Sequence, residues 1–303
     1  MGDARRWRLA AGLRTRLLIA SVALLSVGGL PLASLRSSAE AAPVPSTRNV
    51  PAGSVLDVGA PLDDEFDGPA GAAPSSSMWQ IQTGGGRWGG GQLQDYTASA
   101  DNVSLDGEGH LVITARRQPS NGYDYTSGRI ASVLSMPTYG HFEARIKMPL
   151  GNGLWPCFWI MGVEPNGLAW PYSGEIDIAE MASKLPSIQF ATVHGPRVID
   201  PSTPQNRHWF FTYILRYGKP LPYAFHTFAV DTSPGQIVWS MDGKPYFSVR
   251  ANQVPLGGFW PFDAVRYYVI LNLAVGGQFP TDPTPATKFP ASMIVDYVRV
   301  MPS

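Results

Sequence analysis

Cysteine is almost absent: Cys157 stands alone in 303 residues. A single thiol cannot close an intramolecular disulfide, and it excludes zinc or iron–sulfur sites built from several cysteines. Charge is scarce as well, at 15% of residues, and neither sign prevails, with 23 Lys plus Arg against 23 Asp plus Glu. Nucleic-acid binders carry a basic excess, so no nucleic-acid partner is expected. Helical periodicity is missing throughout. The chain holds instead 44% hydrophobic residues, 11% aromatics, 32 glycines and 28 prolines. That much apolar content argues against disorder. Frequent turn residues between aromatic-rich stretches point to strands.

The first segment reads as an address. Arg5, Arg6, Arg8, Arg14 and Arg16 form a basic start, and an apolar stretch from Leu17 to about Leu35 follows. Ala39-Glu40-Ala41 then offers an A-x-A cleavage site. The expectation is a secretory signal peptide over 1–41 and a secreted product. A retained anchor is the alternative, because such a stretch is just long enough to span a bilayer. Taking away the leader's six arginines and two acids leaves 17 basic and 21 acidic groups, a net of −4. A mildly acidic product has no electrostatic reason to seek anionic lipid, so no stable membrane partner is expected after cleavage.

Residues 42–60, rich in Ala, Pro, Ser and Val, read as a linker, and 61–301 as one domain without repeats. Within it, Phe142, Ala144, Ile146 and Met148 alternate with His141, Glu143, Arg145 and Lys147, the pattern of a half-buried strand. Ile237–Met241 and Tyr246–Val249 flank Asp242-Gly243, a hairpin signal. Tyr268–Val275 and Met293–Val300 read as buried strands. The fold class expected is all-β, a sandwich of the jelly-roll type.

The stretch richest in chemistry is Gly174–Met181, GEIDIAEM. On a strand Glu175 and Asp177 share a face, and Ile176 and Ile178 point the other way. Glu180 would follow the isoleucines into the core unless a β-bulge near Ile178-Ala179 turned it back. Like charges side by side repel, so three acids on one face make sense if they work. Two carboxylates flanking a glycosidic bond are the requirement for glycoside hydrolysis. A solvated acidic strand or a calcium site are the alternatives. Just upstream, Trp155, Cys157 and Trp159 share a strand face in GLWPCFWIM. Indoles in a cleft suit the flat faces of sugars; core packing is the other reading.

These segments resemble glycoside hydrolase family 16, in its branch of laminarinases (endo-β-1,3-glucanases). Matching stretches run in order from Asp64-Glu65-Phe66 through Asn102–Gly107, Tyr125–Ile130, Tyr139–Pro149, Thr192–Gly195 and Leu271–Gly277 to Val295–Val300. The resemblance implies a curved, concanavalin-like jelly roll with a concave carbohydrate cleft. It implies Glu175 as nucleophile, Asp177 as assisting acid and Glu180 as acid/base. Substrate contacts are implied at Trp88, Arg129, Trp155, Trp159, His194 and Asn272. No cofactor is required. A structural calcium ion is implied at Asp296, Glu65 and Gly109. The partner is a β-glucan, met by a monomer.

The chain departs from the family in its binding set. Trp88-Gly89-Gly90-Gly91-Gln92-Leu93-Gln94 stands where W-G-N-N-E-L-Q is frequent, Phe279 stands for a tryptophan after Gly-Gly, and Thr232 for another before Ser233-Pro234. Residues 197–224, with seven aromatic or histidine rings, are unlike the family's short glycine-rich loop. They are expected to wall the cleft; padding of the outer sheet or a dimer contact is the alternative. Three rival functions remain open: a non-catalytic β-glucan-binding protein on the same fold, a polysaccharide transglycosylase, and a hydrolase for a galactan or another β-glucan.

Overall fold

Alternation along Gly140–Lys147 places Phe142, Ala144 and Ile146 fully inside and leaves His141, Glu143, Arg145 and Lys147 partly exposed. The computed structural model describes residues 61–86, 88–163, 170–197 and 208–303. The expected leader and linker lie outside the described residues, as does 198–207 of the expected cleft wall. Among the described residues no helix is long and apolar enough to cross a membrane.

The strands are β1 Leu62–Asp64, β2 Trp79–Ile81, β3 Gln94–Tyr96, β4 Val103–Leu105, β5 Leu111–Ala115, β6 Tyr125–Ser127, β7 Arg129–Ser132 and β8 Gly140–Lys147. There follow β9 Leu154–Gly162, β10 Glu175–Glu180, β11 Ile188–Pro196, β12 His208–Arg216, β13 His226–Ser233, β14 Gln236–Met241, β15 Lys244–Arg250, β16 Tyr267–Val275 and β17 Ala291–Pro302. One antiparallel sheet has the order β15-β14-β13-β8-β17-β5-β4, with β1 added on β17. The second has the order β12-β11-β10-β9-β16-β7-β2. Their inner faces share one apolar core, Phe142, Ile146, Trp239 and Val298 from the first sheet meeting Phe158, Ile160, Ile176 and Leu271 from the second. This is the jelly-roll sandwich expected. The Asp242-Gly243 hairpin is there too, both residues having positive φ (50° and 71°), as a tight twisted turn requires.

One sequence expectation changes. Much of 197–224 is not loop: His208–Arg216 is β12, paired along its whole length with β11 as the edge of the second sheet. Its odd residues Trp209, Phe211, Tyr213 and Leu215 make an apolar face, while the even ones mix His208, Thr212 and Arg216 with Phe210 and Ile214. Trp209 stacks on Trp260, and Tyr213 on Phe247 of β15. Phe210, 58% exposed, points the other way.

The expected calcium donors are otherwise engaged. Glu65 O and Gly109 do adjoin, a Cβ built on Gly109 lying 3.8 Å from that oxygen. The Asp296 carboxylate, however, accepts from the Arg145 guanidinium, with His110 Nε2 3.9 Å away, and the Glu65 carboxylate accepts from Arg299 at 2.5 Å. Two guanidiniums occupy the charge a cation needs, so this donor set does not fit calcium as it stands.

Candidate active site

The acid strand β10 lies between β9 and β11. On one side Glu175 faces Met161, Asp177 faces Trp159 and Glu180 faces Cys157; on the other they face His194, Thr192 and Phe190. The three residues from Asp177 to Glu180 thus pass only two partners on each neighbour. The extra residue is the bulge expected from the spacing. Ile178 and Ala179 both enter the core, at 1% and 0% exposure, and Glu180 returns to the face of Glu175 and Asp177.

A bulge leaves backbone groups out of the ladder, and buried carbonyls need donors. Two core side chains supply them. Trp239 of β14 reaches across the sandwich and donates to Asp177 O at 2.9 Å. Gln189, fully buried, donates to Ile178 O at 2.8 Å, and its own carbonyl accepts from the Tyr246 hydroxyl at 3.0 Å. A buried glutamine flanked by isoleucine and phenylalanine was the available signal for this support.

The acids have been desolvated. Burial pushes the Asp177 carboxyl well above the usual carboxylate range, and the charge of Glu175 and a hydrogen bond with it act in the same sense. The carboxyl is thereby biased toward its neutral form beside Glu175. Glu180 is also pushed well up, first by burial and then by the charge of Asp177, against the pull of the Trp155 indole N–H that donates to it at 3.0 Å. A carboxyl whose pKa is raised in this way is suited to act as a general acid. His194 Nε2 lies 3.4 Å from Asp177 Oδ2, while its Nδ1 is buried without a partner. An Nδ1 lacking an acceptor places the ring proton on Nε2, toward Asp177. Among the described residues, the trio of metal-capable side chains with donor atoms within 4.8 Å of one another is Glu175, Asp177 and His194, the acid centre itself.

The implied contact residues form a stack on the β9 side. The Arg129 guanidinium lies 4.9 Å from the ring centres of both Trp88 and Trp159, and its Nε donates to Gln82 at 2.5 Å. At 8% exposure Arg129 props two indoles from between. Asn272, the one amide of an apolar strand, finds its partner in Trp159, whose indole N–H donates to it at 2.8 Å. Trp155 meets Phe279 at 5.2 Å, and Phe279 meets Phe190 at 4.9 Å, so the residue in the family's tryptophan position still completes an aromatic cluster. Gly90 lies above Trp155 with φ +55°, where a Cβ would come within 3.0 Å of the indole. Glycine there lets the loop close on the ring. Phe190 and Trp170 were not singled out by sequence reading: Phe190 arrives through the register of β11 opposite Glu180, and Trp170 from the turn before β10, neither through a motif.

Cys157 is buried, 6% exposed, yet belongs to the cleft row Arg129–Asn272–Cys157–Glu180 defined by strand register. Burial, then the charges of Glu180 and Asp177, push its thiol well up. A protonated thiol is a poor nucleophile. Iodoacetamide at pH 7 is expected to leave the native protein unmodified by mass spectrometry and fully active. Stoichiometric alkylation with loss of activity would show a thiolate where this geometry allows none.

The family model for glycosyl hydrolases family 16 matches residues 91–297. The chain belongs to that family. A β-glucanase of Rhodothermus marinus is 36% identical over 252 residues, covering 78% of this chain and 82% of the relative. A glucan endo-1,3-β-glucosidase A1 of Niallia circulans is 34% identical over 78% of this chain, which spans only 37% of that longer protein. Among solved structures, the endo-β-1,3-glucanase of Pyrococcus furiosus superposes with a TM-score of 0.69 at 37% identity, covering 79% of this chain and 92% of the other. The protein is a glycoside hydrolase.

Proposed function

We propose that this family 16 hydrolase is a retaining endo-β-1,3-glucanase acting on laminarin-type glucan. The single observation that carries the mechanism is the bulged strand, which gathers Glu175, Asp177 and Glu180 on one desolvated face. The β-glucanase and endo-β-1,3-glucanase relatives support the substrate class. Glu175 attacks the anomeric carbon, and Glu180 gives its proton to the departing glycosidic oxygen. Asp177, hydrogen-bonded to Glu175, holds the nucleophile in place and follows its charge as the covalent bond forms. His194 steadies Asp177 from the far side. Glu180, now a carboxylate, takes a proton from water, which attacks the glycosyl–enzyme ester and releases a sugar of retained configuration.

We place Trp88, Arg129, Trp155, Trp159, His194 and Asn272 along the glucan, directly or as props, with no cofactor in the chemistry. The proposal includes export through the 1–41 leader and action as a monomer.

A reducing-sugar assay against laminarin, mixed-linkage β-glucan, cellulose and a galactan tests the substrate. Laminarin is expected to be cut fastest. Proton NMR in the first minutes should show the β-anomer. An α-anomer first would sink the retaining mechanism, and glucan binding without new reducing ends would leave a binding protein.

A further inference from the structure

We propose that His208 and Phe210 of β12, with Trp170 and His194, form a sugar-stacking site beside the acid centre that sets which bond of a long glucan is cut. The proposal rests on the reading of the cleft as a glucan hydrolase and extends it from His194 to His208, Phe210 and Trp170, which lie outside the implied contact set.

Register places the wall. Glu175 faces His194 across one strand boundary, and His194 faces Phe210 across the next. Two strand spacings are about 10 Å, which puts Phe210 under the glucosyl residues just past the one being cleaved. The even residues of β12 turn to this face, and the odd ones do not: Trp209 packs at 3% exposure and Tyr213 against Tyr246 and Phe247. The strand therefore pads the sandwich with one set of rings and presents the other to the cleft.

The presented rings touch one another. His208 lies 5.1 Å from Trp170, 5.6 Å from His194 and 5.9 Å from Phe210, and Phe210 lies 5.7 Å from His194. Trp170 and Phe210 are 44% and 58% exposed. Large rings left in water at the end of a cleft carry a solubility cost that a stacking ligand removes. Burial and the neighbouring His194 lower the His208 pKa, against the charge of Glu175. A neutral imidazole keeps the platform uncharged and offers a donor and an acceptor to sugar hydroxyls. The chemistry that fits is a neutral pyranose with its C–H face on the rings.

The test uses the full chain carrying Glu175→Gln, titrated calorimetrically with laminarihexaose and laminaritriose, and the same with Phe210→Ala or His208→Ala added. The hexaose should lose affinity about tenfold, the order of one stacking contact, and the triose much less. In the background with Glu175 intact, the cleavage map of end-labelled hexaose should shift along the chain, and Phe210→Trp should restore it where Phe210→Leu does not. Unchanged hexaose affinity and an unchanged map in both alanine variants overturn this inference while leaving the hydrolase reading intact. A parent protein that neither cuts nor binds the hexaose sinks both.

Discussion

Glu175→Gln is expected to abolish turnover of laminarin while the fold and glucan binding stay in place. The amide keeps the size of the carboxylate, so strand register and packing have no reason to change. It cannot attack an anomeric carbon, and removing a covalent nucleophile costs several orders of magnitude in kcat. A second consequence comes from Asp177. Part of its upward shift comes from the neighbouring Glu175 charge, so in the variant its carboxyl should titrate lower than in the parent. Circular dichroism and calorimetry check the fold and binding, and initial rates check kcat. Residual activity above about 1% of the parent would move the nucleophile elsewhere.

Trp239→Ala is expected to cost about 3–5 kcal/mol of stability by denaturant unfolding, the range for emptying a fully buried indole site. Trp239 has no exposed surface, and it carries the hydrogen bond to Asp177 O across the sandwich. Trp239→Phe separates the two roles. It keeps most of the volume but strands a buried carbonyl, which costs about 1–3 kcal/mol. That carbonyl belongs to the bulge, so Trp239→Phe should lower kcat at nearly constant KM as Glu180 loses its fixed position. Equal losses in kcat for Trp239→Phe and for a core variant far from the bulge, such as Val298→Ala, would reduce Trp239 to packing alone.

What could be read beforehand follows from how local each signal is. The alternation of Gly140–Lys147 and the Asp242-Gly243 turn are decided within a few residues, and both stand in the structure. The bulge was legible because acids at positions 175, 177 and 180 cannot share a face otherwise. The face of Trp155, Cys157 and Trp159 was legible for the same reason. Strand β12 was not, since in HWFFTYILR Phe210 and Ile214 interrupt the polar face of His208, Thr212 and Arg216 and blur the period. Nor were the partners that arrive from far along the chain. Arg145 meets Asp296 151 residues away, and Gln189 meets Tyr246 57 residues away. No local pattern announces such pairings, and the first of them is what gives the Asp296 carboxylate a cationic partner within the chain.

The bulge also says where the catalytic distance is kept. Glu175 and Glu180 are five residues apart along their own strand, yet opposite β9 they answer to Met161 and Cys157, and opposite β11 to His194 and Phe190, four residues in each case. The gauge is held by the neighbouring strands, and the inserted residue is slack folded into the core. A strand with acids in the tighter E-x-D-x-E rhythm, laid between the same two neighbours, would put its glutamates at the same span. A one-residue gap at Ile178-Ala179 in any alignment then marks two spellings of one reaction centre. A pattern search that insists on the shorter rhythm would pass this chain by, although its glutamates stand the same distance apart.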